Sequence, residues 1–170
     1  MQVVCTTFKA RDEAALVEVL GEIPGGTDLL AWFDGDLPSF HDAEVLSLEL
    51  DRKDATCRIR VHTWAMTREV DEGGYYRHVN DVLVTFELGG VTELKLEDFN
   101  QQNVIFGLFI ERSEHGFQIE LEPCYGLSGI ITAKTVRVSL QPGLSLDGRA
   151  STRSSARPLT EDDLRRLRSS

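Results

Sequence analysis

Apolar and polar residues alternate with a period of two over most of the chain beyond residue 43. Residues 46–51, for example, read Leu-Ser-Leu-Glu-Leu-Asp. Successive side chains of a β-strand point to opposite faces, so this alternation predicts strands with one buried and one solvated face. We predict about seven strands, at residues 46–51, 57–66, 82–88, 94–96, 104–110, 117–122 and 130–140.

Short turn signals separate most of these segments, and no β-α-β alternation appears, which argues against a parallel sheet. Gly89-Gly90 has the spacing of a two-residue hairpin turn, and Gly73-Gly74 marks another reversal. Val104–Ile110 is apolar on both faces, so its pattern leaves a buried strand and a short core helix open. The predicted fold class is mainly β (α+β): an antiparallel meander forming a curved sheet, a sandwich or a partial barrel.

Helical spacing is confined to the two ends of the chain. Residues 12–23 carry apolar side chains at helical intervals, which predicts one N-terminal amphipathic helix. Thr27 is predicted to cap a further short helical turn. We assign residues 1–146 to a single β-rich domain and residues 147–170 to a tail rich in Arg and Ser, in which Thr160 can cap a short C-terminal helix.

The charge of the chain is strongly acidic, with 28 Asp and Glu against 18 Lys and Arg. Residues 1–148 alone hold 25 acidic and 12 basic residues. A nucleic-acid surface needs clustered Lys and Arg, so we expect no nucleic-acid partner. The charge suits a basic protein partner, although solubility alone also explains it.

The cysteines indicate a reducing compartment. The three of them, Cys5, Cys57 and Cys124, form no Cys-x-x-Cys pair. The N-terminus lacks a signal-peptide pattern, and the longest apolar run is far too short to span a membrane. We therefore expect a cytoplasmic protein without a membrane partner. Nucleotide-binding glycine motifs and a nucleophile elbow are absent from the sequence, so we expect no cofactor and no catalytic residue.

One local cluster could carry chemistry. His41, Asp42 and Glu44 lie together just before the first predicted strand, where they could serve a small metal-dependent hydrolase as base and ligands. The other interpretation is structural, because His and Asp side chains at a strand entrance hydrogen-bond a loop into place. No metal-ligand spacing supports a metal site, so we favour the structural interpretation and predict no metal.

The second strand predicts a protein-binding face. Arg, Trp and Tyr are the residue types that anchor protein interfaces. Cross-strand pairing of the arginines with Glu87 or Glu93 is the alternative interpretation. The candidate partner-binding residues on this strand and in the following segment are Arg58, Arg60, His62, Trp64, Tyr75 and Tyr76.

A resemblance to a known family adds a function. The segment Trp32–Arg52, above all Pro38–Val45, resembles the signature of the immunity protein 50 family, and Tyr125–Gly129 followed by Thr135–Leu140 is a looser match. The resemblance implies a non-catalytic protein that binds and neutralises a cognate bacterial toxin domain. The motif positions, which we interpret as structural, are Trp32, Phe33, Pro38, Phe40, His41, Asp42 and Glu44.

The sequence therefore leaves three functions open. The first is an immunity protein bound to a basic toxin domain, and the second is the metal-dependent hydrolase built on His41, Asp42 and Glu44. The third is a β-barrel that binds a small apolar ligand, with Val104–Ile110 lining its pocket. The neighbouring gene and the metal content of the purified protein would separate them.

Overall fold

The computed structural model describes residues 13–143 except 71, 73 and 75, so the predicted tail at 147–170 lies outside the described residues. Within these residues, two helices precede six strands. Their bounds are α1 Glu13–Glu22, α2 Gly26–Trp32, β1 Ala43–Asp51, β2 Thr56–Val70, β3 Tyr76–Glu97, β4 Val104–Ser113, β5 Gly116–Tyr125 and β6 Ser128–Pro142. No helix among these residues is long and apolar enough to cross a membrane.

All strand pairs are antiparallel, which confirms the predicted mainly β class. Strands β1, β2 and β3 form one meander, and β4, β5 and β6 form another. β3 pairs with β6 along most of its length, and β1 pairs with β4. The strand order β1-β2-β3-β6-β5-β4 therefore closes into a ring.

The predicted reversal at Gly89-Gly90 is wrong. The segments 82–88 and 94–96 are two parts of the single long strand β3, which passes through both glycines. Gly90 has φ +64°, and the register with β6 shifts between Val91 and Glu93. The glycines therefore permit an irregularity in a continuous strand, because β6 is long enough to pair with both halves of β3.

Val104–Ile110 lies within β4, which decides between the strand and the helix that its pattern left open. Helix α1 confirms the predicted N-terminal helix. The expected cap at Thr27 is wrong, because α2 begins at Gly26 and has Gly25 as its N-cap residue, with φ +84° and no side-chain cap bond. A Cβ atom at Gly25 would lie 1.9 Å from the Val138 carbonyl oxygen, so only glycine fits there.

A single hydrophobic core fills the ring and extends to both helices. Alternate residues of the strands point inward, and Phe86, Ile59 and Ile119 are among the fully buried ones. Helix α1 packs against β4, and α2 packs against β6. The Pro24 carbonyl between them accepts a hydrogen bond of 2.8 Å from Val138 N, which fixes the helical pair to the sheet.

The ring closes along a short seam between β1 and β4. Only Ala43–Ile105 and Glu44–Val104 are register pairs there, whereas the other neighbouring strands share much longer ladders. Two backbone bonds extend this contact. Asp42 N donates to the Ile105 carbonyl at 3.0 Å, and Val45 N donates to the Asn103 carbonyl at 2.8 Å. We call residues 42–45 and 103–105 the β1–β4 seam.

Candidate functional site

The motif Pro38–Val45 leads into the seam and is anchored from within. Phe40 is buried with its ring centroid 6.1 Å from that of Phe86. The Ser39 carbonyl accepts a bond of 3.1 Å from Thr63 Oγ1, and Ala43 N donates to the Phe40 carbonyl at 3.0 Å. The loop is therefore held by a buried ring and by bonds to its backbone carbonyls.

His41 and Asp42 lie at the surface of this loop, each about half-exposed, with His41 Nδ1 2.9 Å from Asp42 Oδ2. Asp42 has φ +64°, a left-handed conformation that Asp tolerates better than most residues. The side chain of Glu44 is not grouped with them, since Glu44 stands opposite His62 in the β1–β2 ladder. The three-residue arrangement His41, Asp42 and Glu44 is therefore not assembled.

Cys124 approaches His41 and Asp42 instead. One potential ligand atom from each of the three side chains lies within 4.8 Å of the others, and among the described residues no other such group of three forms. Histidine nitrogen, thiolate sulfur and carboxylate oxygen are all ligands that Zn²⁺ accepts. Partial burial, and then the negative charge of Asp42, raise the pKa of the Cys124 thiol. No sequence spacing indicates this grouping, because Cys124 comes from the end of β5.

The candidate face on β2 is largely self-paired in the part that the structure describes. Arg58 lies between two cross-strand carboxylates, with Glu49 and Glu87 oxygens each 3.2 Å from its guanidinium. Both ion pairs are exposed, so each stabilises the sheet by under about 1 kcal/mol. Arg60 is half-buried between Ser47 and Thr85 on the flanking strands.

His62 points outward but is only 4% exposed. Its Nε2 lies 3.4 Å from Asp81 Oδ1, close enough for an ion pair, although the alignment does not make a hydrogen bond. Trp64 is half-buried, and its ring stacks on His78 with 4.8 Å between centroids. Tyr75 lies outside the described residues, and of Tyr76 the structure describes only the backbone, which pairs with Val70.

Asn103 is a buried polar residue at the seam that the sequence interpretation missed. Its Oδ1 accepts bonds of 3.1 Å from both Asn100 N and Leu127 N, and its Nδ2 donates to the Asn100 carbonyl at 2.9 Å. Gly126, with φ +81°, packs directly against this residue. The second stretch that carries the resemblance therefore meets the first at the seam. The sequence could not predict the role of Asn103, because a single Asn in a polar loop belongs to no periodic pattern that would show that it is buried.

An apolar groove adjoins the motif on its other side. It has a volume of about 770 Å³ and lies between α1, the loop 37–41 and residues 106–112 of β4. Leu16, Val19 and Leu108 contribute apolar surface, and Glu18 and Arg112 contribute charge. The groove includes residues 106–110, which belong to the segment Val104–Ile110 that was predicted to line a pocket for a small apolar ligand.

A family model for immunity protein 50 matches residues 27–141. The chain belongs to the immunity protein 50 family. No curated protein and no solved structure matches it. The match covers all but the first residue of α2, the strands β1 to β5, all but the last residue of β6 and both stretches that carry the resemblance.

In this member of the immunity protein 50 family, the motif divides into a buried and an exposed part. Trp32, Phe33, Pro38 and Phe40 are buried and belong to the packing of the loop and α2. His41 is exposed beside them. The family motif thus builds the entrance to β1 and at the same time places polar side chains on the surface.

Proposed function

We propose that this chain is a non-catalytic immunity protein that binds and neutralises a cognate toxin domain. The observation that carries the proposal is the match to the immunity protein 50 family over residues 27–141. Family membership implies an immunity protein, and immunity proteins generally act by binding. The partner is then a protein, and we propose that the two meet in the cytoplasm.

The net charge supports a basic partner. The formal charge of the chain is −10, which would attract a cationic protein and repel nucleic acid. The pair His41 and Asp42 supports binding better than catalysis, because both side chains are open to solvent and their polar atoms pair with each other. A general base acts best in a site that excludes water and positions a substrate.

The experiment is co-expression with the toxin domain encoded beside this gene, followed by titration of the purified proteins. A binding inhibitor should restore growth and should abolish toxin activity at one molecule of immunity protein per toxin. The toxin should be recovered active after the complex is denatured and the two proteins are separated. Complete inhibition at a small fraction of the toxin concentration, with a chemically altered toxin, would show an enzyme instead.

A metal-dependent activity is the second candidate, favoured by the convergence of His41, Asp42 and Cys124. Elemental analysis of the purified protein tests it. Stoichiometric zinc that disappears in Cys124→Ser, together with an activity lost in the same variant, would support this candidate. If toxin neutralisation is unchanged in Cys124→Ser and in the presence of EDTA, the metal-dependent activity is not needed and binding remains as the function.

A further inference from the structure

Three large aromatic side chains, of Phe or Tyr, are exposed among the side chains that the structure describes. Phe99 is 68% exposed, Tyr125 is 60% exposed and Phe106 is 38% exposed. Most aromatic residues of a folded domain bury the greater part of their surface, and exposed ones are enriched where proteins bind each other. Since these three come from different segments of the chain, their position in the fold decides whether they form one surface.

All three border the β1–β4 seam. Val104 pairs with Glu44 on one side and with Tyr125 on the other. Phe99 lines a surface hollow together with Glu44, Leu46 and Asn103.

On the motif side of the seam, the Phe106 ring contacts the His41 ring edge-on, with 4.8 Å between their centroids. Asp42 lies beside His41 and within reach of Cys124, the neighbour of Tyr125. We call Phe99, Phe106, Tyr125, His41 and Asp42 the seam surface.

The acidic charge is concentrated on the same half of the molecule. Residues 34–51, which lead into and form β1, hold six Asp and Glu and no Lys or Arg, and α1, which packs against β4, holds three more acidic residues. Helix α2, which packs against β6, holds one, Asp28. Residues 98–127, which form β4 and β5, hold five acidic residues and one basic residue. The remaining described strands lie in residues 52–97 and 128–143, which together hold eight acidic and nine basic residues. One half of the ring is therefore strongly negative, and the other is nearly neutral.

We propose that the seam surface is where the toxin docks, and that the toxin presents a basic patch around an apolar contact. This inference rests on the proposed function and adds the place and the chemistry of binding. Phe99 and Tyr125 supply large apolar area that loses water on docking, and Phe106 extends that area towards the motif. The surrounding carboxylates, Asp42 among them, attract and orient the basic patch.

The β2 face is the weaker docking surface for a basic partner. Its half of the ring carries almost no net charge, Arg58 is already paired with two carboxylates and His62 is buried. Trp64 is covered on one side by His78. A basic toxin would therefore find neither attraction nor an open aromatic anchor among the described side chains of that face.

The test measures binding of the same toxin domain to single variants of each surface. Phe99→Ala and Tyr125→Ala remove the exposed rings at the seam. Trp64→Ala is the control on the β2 face, and Leu94→Ala, at a residue 39% exposed on β3, is the control for losing exposed apolar area. Melting temperatures of all four variants establish that each one folds.

We expect each seam variant to weaken binding by at least about tenfold and each control by less than about twofold. If the wild-type protein neutralises the toxin and both seam variants bind the toxin as tightly as wild type, the docking surface is wrong and the proposed function stands. If only Trp64→Ala loses binding, the toxin docks on the β2 face and the seam surface is not the docking site. A wild-type protein that neither binds nor neutralises the toxin would overturn the function itself, and the partner assigned to the seam with it.

Discussion

Trp32 and Asn80 lie 48 residues apart and bind each other through two hydrogen bonds. Trp32 Nε1 donates to the Asn80 carbonyl at 2.8 Å, and Asn80 Nδ2 donates to the Trp32 carbonyl at 3.3 Å. The pair ties the end of α2 to an irregular point of β3, where Asn80 has φ +58°. One motif residue of the family thus has a defined structural role.

Trp32→Phe should lower the free energy of unfolding by about 1–3 kcal/mol, because the Asn80 carbonyl loses its donor and a smaller ring leaves space. Asn80→Gly is the matched variant, since glycine accepts the positive φ and keeps the carbonyl. Asn80→Gly should lower the free energy of unfolding by less than Trp32→Phe does. Urea unfolding of the three proteins checks the order, and equal stability of Trp32→Phe and wild type would contradict it.

Asn103→Ala should be among the more damaging single substitutions at the seam, at about 2–3 kcal/mol. It leaves the backbone N–H of Leu127 without its acceptor in a buried position. Asn103→Asp keeps an acceptor oxygen but sets a carboxylate oxygen against the Asn100 carbonyl, so it should fall between alanine and wild type only at acidic pH, where the protonated carboxyl can donate that bond. Thermal unfolding of the two variants measures the difference. Equal losses would show that the side chain fills space and that its bonds matter little.

Asp42→Ala should destabilise the protein by about 1–2 kcal/mol, because alanine at φ +64° lies in the left-handed region. Asp42→Asn and Asp42→Gly should stay within about 0.5 kcal/mol of wild type, since both residues adopt this conformation readily. Chemical denaturation compares the three. A loss in Asp42→Asn as large as in Asp42→Ala would instead make the carboxylate the stabilising feature.

Cys57 should make the stability depend on pH in the alkaline range. Burial raises the pKa of its thiol from 9.0 to about 11. The unfolded chain therefore loses this proton first, and the stability that is fully present below pH 9 falls as the pH rises towards 11. We expect a loss of about 1 kcal/mol between pH 8 and pH 10.

Urea unfolding of wild type and Cys57→Ala at both pH values isolates this contribution, since other groups titrate in both proteins. The difference in stability between the two proteins should shrink as the pH rises. A difference that is the same at pH 8 and pH 10 would mean that the Cys57 thiol ionises equally in the folded and unfolded chains.

The uneven charge should govern the rate of toxin association. Raising the salt from 0.1 M to 1 M shortens the Debye length from about 10 Å to about 3 Å, so the association rate should fall steeply. Glu18→Gln and Asp98→Asn, on the acidic half, should slow association at low salt. The matched variants Asp54→Asn and Glu72→Gln remove the same charge elsewhere and should have little effect. Stopped-flow mixing measures the rates, and equal slowing by both pairs would show that only the net charge matters.

The sequence predicted the fold class well because each strand carries its own signal. The alternation survives in β2 and β5, where Ile59, Val61, Ile119 and Leu121 pack in the ring. In β1 the register shifts between Val45 and Ser47, and Leu50 is 55% exposed. The failure at Gly89-Gly90 has a physical cause. Two glycines between extended runs look the same in a tight turn and in an irregular strand, and the long partner β6 that selects the second lies far along the chain.

The site was less predictable because it is assembled from distant segments. His41 and Asp42 were found through their motif, but Cys124, Tyr125 and Phe99 reach the seam only when the ring closes. One signal was available. Val104–Ile110 is apolar on both faces, and a strand with one face in the core then has an outer apolar residue, Phe106, left at the surface.

The short seam also determines how the ring can come apart. Each meander is held by neighbouring strands along the chain, whereas the β1–β4 contact depends on two register pairs and joins segments far apart in sequence. We expect such a contact to form late in folding and to open first in the native state, and its opening would uncover two strand edges able to pair with other chains. A partner bound to the seam surface would contact both β1 and β4 and hold them together. The protein bound to its toxin should therefore open, exchange amide hydrogens and aggregate more slowly than the protein alone.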